Sequence, residues 1–184
     1  MESIIKVGDQ APNATVLDAQ GNPVTLEETW REGPVLLTFL RHFGCLHCRY
    51  MLVQLEQHKD EIKAAGLKMV AVALGEPKHA AHFCGKLAPD VECLVNKTNE
   101  VHFAYGLKRS GVEALFNPKL YKASARAAAA GLTQGKATGD IAMLGGILVI
   151  DSQGIIRYVY ANDFAGDYPP IPTILAEIKD GVLG

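Results

Sequence analysis

Short apolar runs bounded by Gly, Pro and Asn punctuate the chain, and their lengths and periods define its elements. Val35-Leu36-Leu37-Thr38-Phe39-Leu40 follows Gly33-Pro34 and is continuous rather than alternating, the pattern of a strand covered on both faces, as in a parallel sheet. A helical stretch over about 46–65 comes next, with Lys63 in its last turn and Gly66 as the residue that ends it. Residues 67–74 form a second buried-type strand, so strand, helix and strand make one βαβ unit with a right-handed crossover. Pro77 then opens a helix over 76–86, followed by a weaker strand over 91–95 and a short helix over 99–105. Ahead of this unit, 13–26 reads as a small hairpin turning at Gly21-Asn22. Behind it, 146–151 and 155–160 pair as a hairpin around Ser152-Gln153-Gly154, and 173–179 is a closing amphipathic helix after Pro172. Between Tyr105 and Gly146 lies an excursion with a helix over 118–130 and a Gly-rich stretch over 131–146, the length of a functional lid. The elements predict an α/β fold with a mixed central sheet and helices on both faces, in one domain over 1–184.

Composition narrows the class of function. The chain has 184 residues, 48% of them hydrophobic, enough for a full-sized core without disulfide staples. A formal net charge of −2 removes the electrostatic case for nucleic acid. No apolar run approaches the roughly 18 residues that span a bilayer, so no membrane partner is expected. The opening MESIIKVGDQAPN has no cationic flank, apolar core or cleavage site of a secretory signal. Four cysteines are too few for a disulfide scaffold, and the expectation is a cytoplasmic, reducing setting in which paired cysteines are catalytic or metal-binding. No Gly-rich phosphate loop follows a strand, so no nicotinamide, flavin or other cofactor is expected.

The chemistry concentrates in Arg41-His42-Phe43-Gly44-Cys45-Leu46-His47-Cys48-Arg49, where the first buried strand hands over to the long helix. C-x-x-C spacing puts two sulfurs about one helical turn apart on one face. With Cys45 capping the helix and Cys48 in its first turn, unsatisfied backbone N–H groups and the helix dipole favour a thiolate. Arg41, Arg49 and protonated His42 or His47 would reinforce it and lower a cysteine pKa from about 8.5 into the range of roughly 3.5–7.5. Such a thiolate attacks a peroxide oxygen or a disulfide sulfur, and its neighbour closes a Cys45–Cys48 disulfide. The alternatives at this motif are two inert packed cysteines, or a zinc site needing two further ligands, for which Cys84 and Cys93 are not a second short-spaced pair and His79, His82 and Cys84 lie on a helix where H-x-x-H is more often solvated.

Several short motifs together resemble a known family. The Val7-Gly8-Asp9-Gln10-Ala11-Pro12 opening, Phe43-Gly44-Cys45 through Cys48-Arg49, Ala104-Tyr105-Gly106-Leu107, Gly139-Asp140, Gly145-Gly146, the turn from Asp151 to Gly154, and Ala165-Gly166-Asp167 are similar to the thioredoxin-fold peroxiredoxins and alkyl hydroperoxide reductases. The branch resembled is the peroxiredoxin-like one that includes prostamide/prostaglandin F synthase. The resemblance implies a thioredoxin-like fold, reduction of hydrogen peroxide or organic hydroperoxides, and an external thiol reductant such as thioredoxin or glutathione, with a homodimer as an allowed assembly. It also carries departures. Counted back from Cys48, the family's Pro position holds Arg41 and its Thr position holds Cys45, while the arginine before the late strand is replaced by Gly145. Family alignment names Cys48 as the attacking residue. The helix-end argument names Cys45, as the more exposed sulfur, with Cys48 resolving, and that assignment is the one favoured. A general thiol–disulfide oxidoreductase acting on protein or glutathione disulfides is the alternative activity, although Gly146 stands where thioredoxins have a cis-proline. A non-catalytic binding or zinc module is the third reading.

Cys84 and Cys93 are expected as buried, unreactive thiols, with Cys84 a candidate resolver. His42 is expected to be held at the sheet's end by a hydrogen bond, and His47 to tune reactivity. Over 106–146, Lys108, Arg109, Lys119, Lys122, Arg126 and Lys136 face only Glu113 and Asp140. That run is either a solvated helix face or a cationic lid that attracts acidic substrates.

Overall fold

The computed structural model describes residues 5–179. Seven strands form one sheet: β1 (Thr15–Leu17), β2 (Pro23–Thr25), β3 (Val35–His42), β4 (Lys68–Leu74), β5 (Glu92–Asn96), β6 (Gly146–Ile150) and β7 (Ile156–Ala161). Their order across the sheet is β2-β1-β5-β4-β3-β6-β7. β3, β4 and β5 pair in parallel and all other neighbours antiparallel. The mixed sheet and the two hairpins are those the apolar runs predict.

Pleating sorts the buried strands between two cores. Leu36 and Leu40 of β3 point to the face covered by α2 (Leu46–Gln57), α3 (Lys59–Ala64), α4 (Pro77–Leu87) and α7 (Ile171–Lys179). Val35, Leu37 and Phe39 point to the opposite face, covered by α1 (Leu26–Trp30) and α5 (Glu100–Ala104). A strand buried on both sides needs no polar alternation, so β3 and β4 read as continuous apolar runs.

Three local features depart from the expectation. The single helix over 46–65 is two, because His58 leaves helical geometry at φ −100°, ψ 13° and its ring bonds Glu61 at 3.0 Å. The short helix α1 is additional, and its signal is in the sequence: Thr25-x-x-Glu28 forms a capping box, with the Glu28 carboxylate accepting from Thr25 N–H at 3.0 Å. Within the insertion, a 3₁₀ turn (Val112–Phe116) precedes α6 (Pro118–Ala129), whose cap is the Asn117 side chain accepting from Lys119 N–H at 3.0 Å.

The cysteines expected to be free spectators are joined. Cys84 of α4 and Cys93 of β5 form a disulfide with Cα atoms 6.4 Å apart. The helix crosses back over the strand that follows it, so two positions nine residues apart meet across that layer. This bond withdraws Cys84 from the resolving role and both sulfurs from zinc ligation.

Candidate active site

β3 loses register with β4 between Phe39 and His42. The irregularity takes Arg41 out of the ladder, and its backbone N–H donates to Cys48 Sγ at 3.2 Å. The chain then turns through Phe43-Gly44 into α2, with Cys45 as N-cap and Cys48 at the third helical position. Both thiols are free, and the two sulfurs share one corner of the fold, as the spacing predicts.

Their exposure corrects the sequence argument. Cys45 and Cys48 are each only 1% exposed, so accessibility does not distinguish them. The cover is the Gly-rich stretch, which binds the cysteine turn at several points. Gly135 N–H donates to Gly44 O at 2.8 Å, Thr138 Oγ1 accepts from Phe43 N–H at 3.0 Å, and Gln134 Oε1 accepts from Leu46 N–H at 3.0 Å. Gln134 thereby satisfies one of the orphan N–H groups of α2 that a cap residue would otherwise serve. The fit requires Gly44, since a Cβ there would overlap the Lys136 carbonyl. Sequence reasoning saw the insertion but not these contacts. Their sequence trace is a pair of glycines, Gly44 and Gly135, some ninety positions apart, and nothing in a single chain links them.

Electrostatics separates the sulfurs where exposure does not. The Cys45 pKa is lowered, chiefly because the Cys48 thiol donates a hydrogen bond to it. Burial opposes the shift, while the Arg41 charge and the N–H groups of His47 and Cys48 assist it. The Cys48 pKa is raised well above the ordinary thiol value, first by burial, then by its hydrogen bond to Cys45 and repulsion from that sulfur. Arg41 Nη1 lies 3.6 Å from Cys45 Sγ. The guanidinium is fixed by Met143 O at 2.9 Å to Nε and by Ile141 O, and among the described residues it meets no carboxylate.

The other expected supporters have different duties. Arg49 reaches neither sulfur: it donates to Phe43 O and Thr133 O, both at 3.0 Å, and stacks 4.6 Å above the Phe83 ring. It ties the cysteine turn to the covering stretch and to α4. His42 and His47 are not protonated tuners. Burial first, then the charges of Arg41 and Arg49 on His42 and of Arg41 and Arg126 on His47, hold both rings down at about 4. At His42 the buried Nδ1 has no hydrogen-bond partner among the described residues. His47 is instead oriented by α6. Ser124 spends its one hydroxyl proton on Leu120 O at 2.9 Å, so at 3.3 Å it accepts from His47 Nε2–H.

Tyr168 is a site residue the sequence reading missed. Its hydroxyl donates to Phe39 O at 2.7 Å, and burial together with the nearby Cys48 and Cys45 holds it well above the ordinary phenol pKa. A Cβ at Gly145 would overlap that hydroxyl, so the Gly145 position and Tyr168 are matched. Beside the cysteine corner, Arg41, His47, Leu115, Leu120, Tyr121 and Ile141 help to line a mostly apolar groove of about 560 Å³. Among the described residues no three His, Cys, Asp or Glu side chains gather as a metal site.

Comparison with known proteins identifies this architecture. The AhpC/TSA family model matches residues 7–159. The chain belongs to the AhpC/TSA family. The prostamide/prostaglandin F synthase of Salmo salar is 30% identical over 164 residues, covering 84% of this chain and 78% of the relative. The thioredoxin-like protein AAED1, chloroplastic, of Arabidopsis thaliana is 28% identical over 91% of this chain and 71% of its own length. Among solved structures, peroxidoxin BcpB from Mycobacterium tuberculosis superposes with a TM-score of 0.70 at 19% identity, over 96% of this chain and 97% of its own. Peroxiredoxin 5 from Alvinella pompejana does so at 0.68 and 16%, over 96% and 99%. The thioredoxin-like fold is that of the family. As an AhpC/TSA protein the chain is a thiol-dependent, peroxide-reducing oxidoreductase.

Proposed function

We propose that Cys45 is the attacking thiolate and Cys48 the resolving thiol of a peroxidase that acts on organic hydroperoxides. The observation that carries this reading is the Arg41 guanidinium, 3.6 Å from the sulfur of Cys45 at the N-cap of α2, and the downward displacement of the Cys45 pKa and upward displacement of that of Cys48 accord with it. Cys45 S⁻ attacks the terminal peroxide oxygen, the O–O bond breaks, and the alkoxide leaves and takes a proton from water. Cys45 is then a neutral sulfenic acid. Two of the causes that disfavour a Cys48 thiolate, its hydrogen bond to a charged Cys45 and the repulsion from it, disappear. Cys48 attacks the sulfenic sulfur and the hydroxyl leaves with the thiol proton as water, closing the Cys45–Cys48 disulfide. Two electrons from an external dithiol such as thioredoxin, or from two glutathione molecules, restore the pair.

Arg41 is placed to favour both the thiolate and the negative charge that develops on the departing oxygen. The apolar groove beside it suits a hydroperoxide with a hydrocarbon body. General disulfide exchange with proteins is less well supported, because Gly146 stands where thioredoxins have a cis-proline and the described residues contain no cis peptide bond. Cytoplasmic residence stays part of the reading on composition. The Cys84–Cys93 bond argues against it, since such bonds persist in oxidising compartments.

The deciding experiment traps the intermediate. Cys48→Ser treated with cumene hydroperoxide is expected to hold a sulfenic acid on Cys45, located by dimedone labelling and peptide mass. Cys45→Ser is expected to lose nearly all turnover. A sulfenic acid on Cys48 in Cys45→Ser would overturn the assignment.

A further inference from the structure

Among the described residues seven large hydrophobic side chains are exposed, and five of them lie between Val112 and Ile141. Val112, Leu115, Phe116 and Tyr121 are 76%, 62%, 81% and 63% exposed. The 3₁₀ turn that presents the first three buries no residue of its own. Polar bonds hold it instead: the Tyr121 hydroxyl donates to Leu115 O at 3.0 Å, and Ser110 N–H donates to Ala142 O at 2.7 Å. Its apolar side chains are therefore free of any folding role.

On α6, which follows, Lys119, Lys122 and Arg126 recur at helical spacing and fall along one flank. All three are exposed, and among the described residues none is ion-paired. Lys108 and Arg109 are neutralised by Asp163 and Asp140. The other exposed positions of α6 are apolar or small: Pro118, Tyr121, Ala125, Ala128 and Ala129. Of the insertion's four cations left without an ion pair among the described residues, Lys136 lies in the stretch over the cysteine turn and the other three lie on the same exposed module as the apolar turn, with Glu113 the one acid among residues 112–129.

We propose that residues 112–129 form a docking surface for an anionic lipid bilayer. An exposed aromatic and aliphatic cluster flanked by unpaired cations is the composition of an interfacial anchor: the apolar side chains enter the acyl boundary and the cations meet lipid phosphate. Charge argues against a second copy of the chain as the occupant, because a two-fold contact would set this cationic flank against itself. No helix among the described residues is long and apolar enough to cross a membrane, so the attachment is peripheral. Leu115 and Tyr121 also line the groove beside Arg41, so docking would bring the groove mouth to the lipid surface. The docking surface does not depend on which cysteine attacks, and its binding readout needs no peroxide.

The test is co-sedimentation of the full chain with vesicles of phosphatidylcholine alone and with about one-quarter phosphatidylglycerol. Binding is expected only to the anionic vesicles and should be lost near 1 M salt, where the Debye length is about 3 Å. Lys119→Gln/Lys122→Gln should bind about 25-fold more weakly, at about fivefold per charge near the surface. Phe116→Ser should bind about tenfold more weakly, the order expected for withdrawing one aromatic ring. Far-ultraviolet circular dichroism and the urea midpoint of these variants report that they are folded. The proposal is overturned if anionic vesicles leave the protein in the supernatant, or if binding survives both sets of substitutions. It is equally overturned if sedimentation velocity shows a dimer that Phe116→Ser converts to monomer.

Discussion

Removing the Arg41 charge is the sharpest perturbation of the site. Its Nη1 stands 3.6 Å from Cys45 Sγ with no competing carboxylate among the described residues. Two unit charges about 4 Å apart interact by about 4 kcal/mol at an effective dielectric of about 20 and by about 1 kcal/mol in water. The pair is buried at the sulfur and half-buried at the guanidinium, so about 1–3 kcal/mol is the working range. At about 1.4 kcal/mol per unit, Arg41→Met should raise the Cys45 pKa by about 1–2 units. The assay is the pH dependence of iodoacetamide alkylation of the reduced protein, with the modified cysteine identified by mass. Below the shifted midpoint, alkylation and peroxide turnover should both fall about tenfold per unit. Arg41 also donates to Ile141 O and Met143 O, so Arg41→Lys is the control. Lysine keeps the charge but cannot reproduce the guanidinium fork. A midpoint unchanged in Arg41→Met would refute the electrostatic account. An equal shift in Arg41→Lys would assign the effect to the carbonyl contacts rather than to charge.

Three further outcomes are expected. Cys84→Ser/Cys93→Ser should retain peroxide turnover yet lose about 2–3 kcal/mol in urea unfolding, the loop-closure value for a short bridged loop; loss of turnover in a folded variant would give this pair a part in the chemistry. Gly44→Ala should push the Gly-rich stretch off the cysteine turn, speed alkylation of Cys45 and cost about 2 kcal/mol or more, whereas unchanged alkylation would mean that another element shields the sulfur. His42, His47 and His102 are all held at about 4, mainly by burial. Between about pH 6.5 and 4 the unfolded chain therefore binds more protons than the folded one, so stability is full above that window and falls through it by up to about 1.4 kcal/mol per pH unit for each ring. Urea unfolding at several pH values would show it, and a flat profile would mean that the rings charge without unfolding.

Which parts of this protein a single sequence reveals follows from the range of the interactions involved. Helix and strand periods, the Gly66 stop, Pro77 at a helix start and the C-x-x-C spacing are local, and they place Cys45 and Cys48 at the N-terminus of α2. A strand covered on both faces must be apolar throughout, so β3 and β4, and with them the core of the sheet, are legible as runs. The Thr25–Glu28 capping box was equally local and equally available.

Tertiary structure alone decided the environment of the sulfurs. Cys45 is buried because residues 134–138 arrive from some ninety positions away and bond to the turn around it. The histidines beside it are neutral because packing desolvates them next to two arginines, a condition that no spacing encodes. Arg49 carries the residue type expected beside a thiolate, yet its guanidinium follows the Phe43 carbonyl and the Phe83 ring. Cys84 and Cys93 differ from any two buried cysteines only in that α4 folds back over β5. Local sequence thus determined which groups reach the corner of the fold, while desolvation and long-range contact, properties of three-dimensional neighbourhood, determined their charge and exposure there.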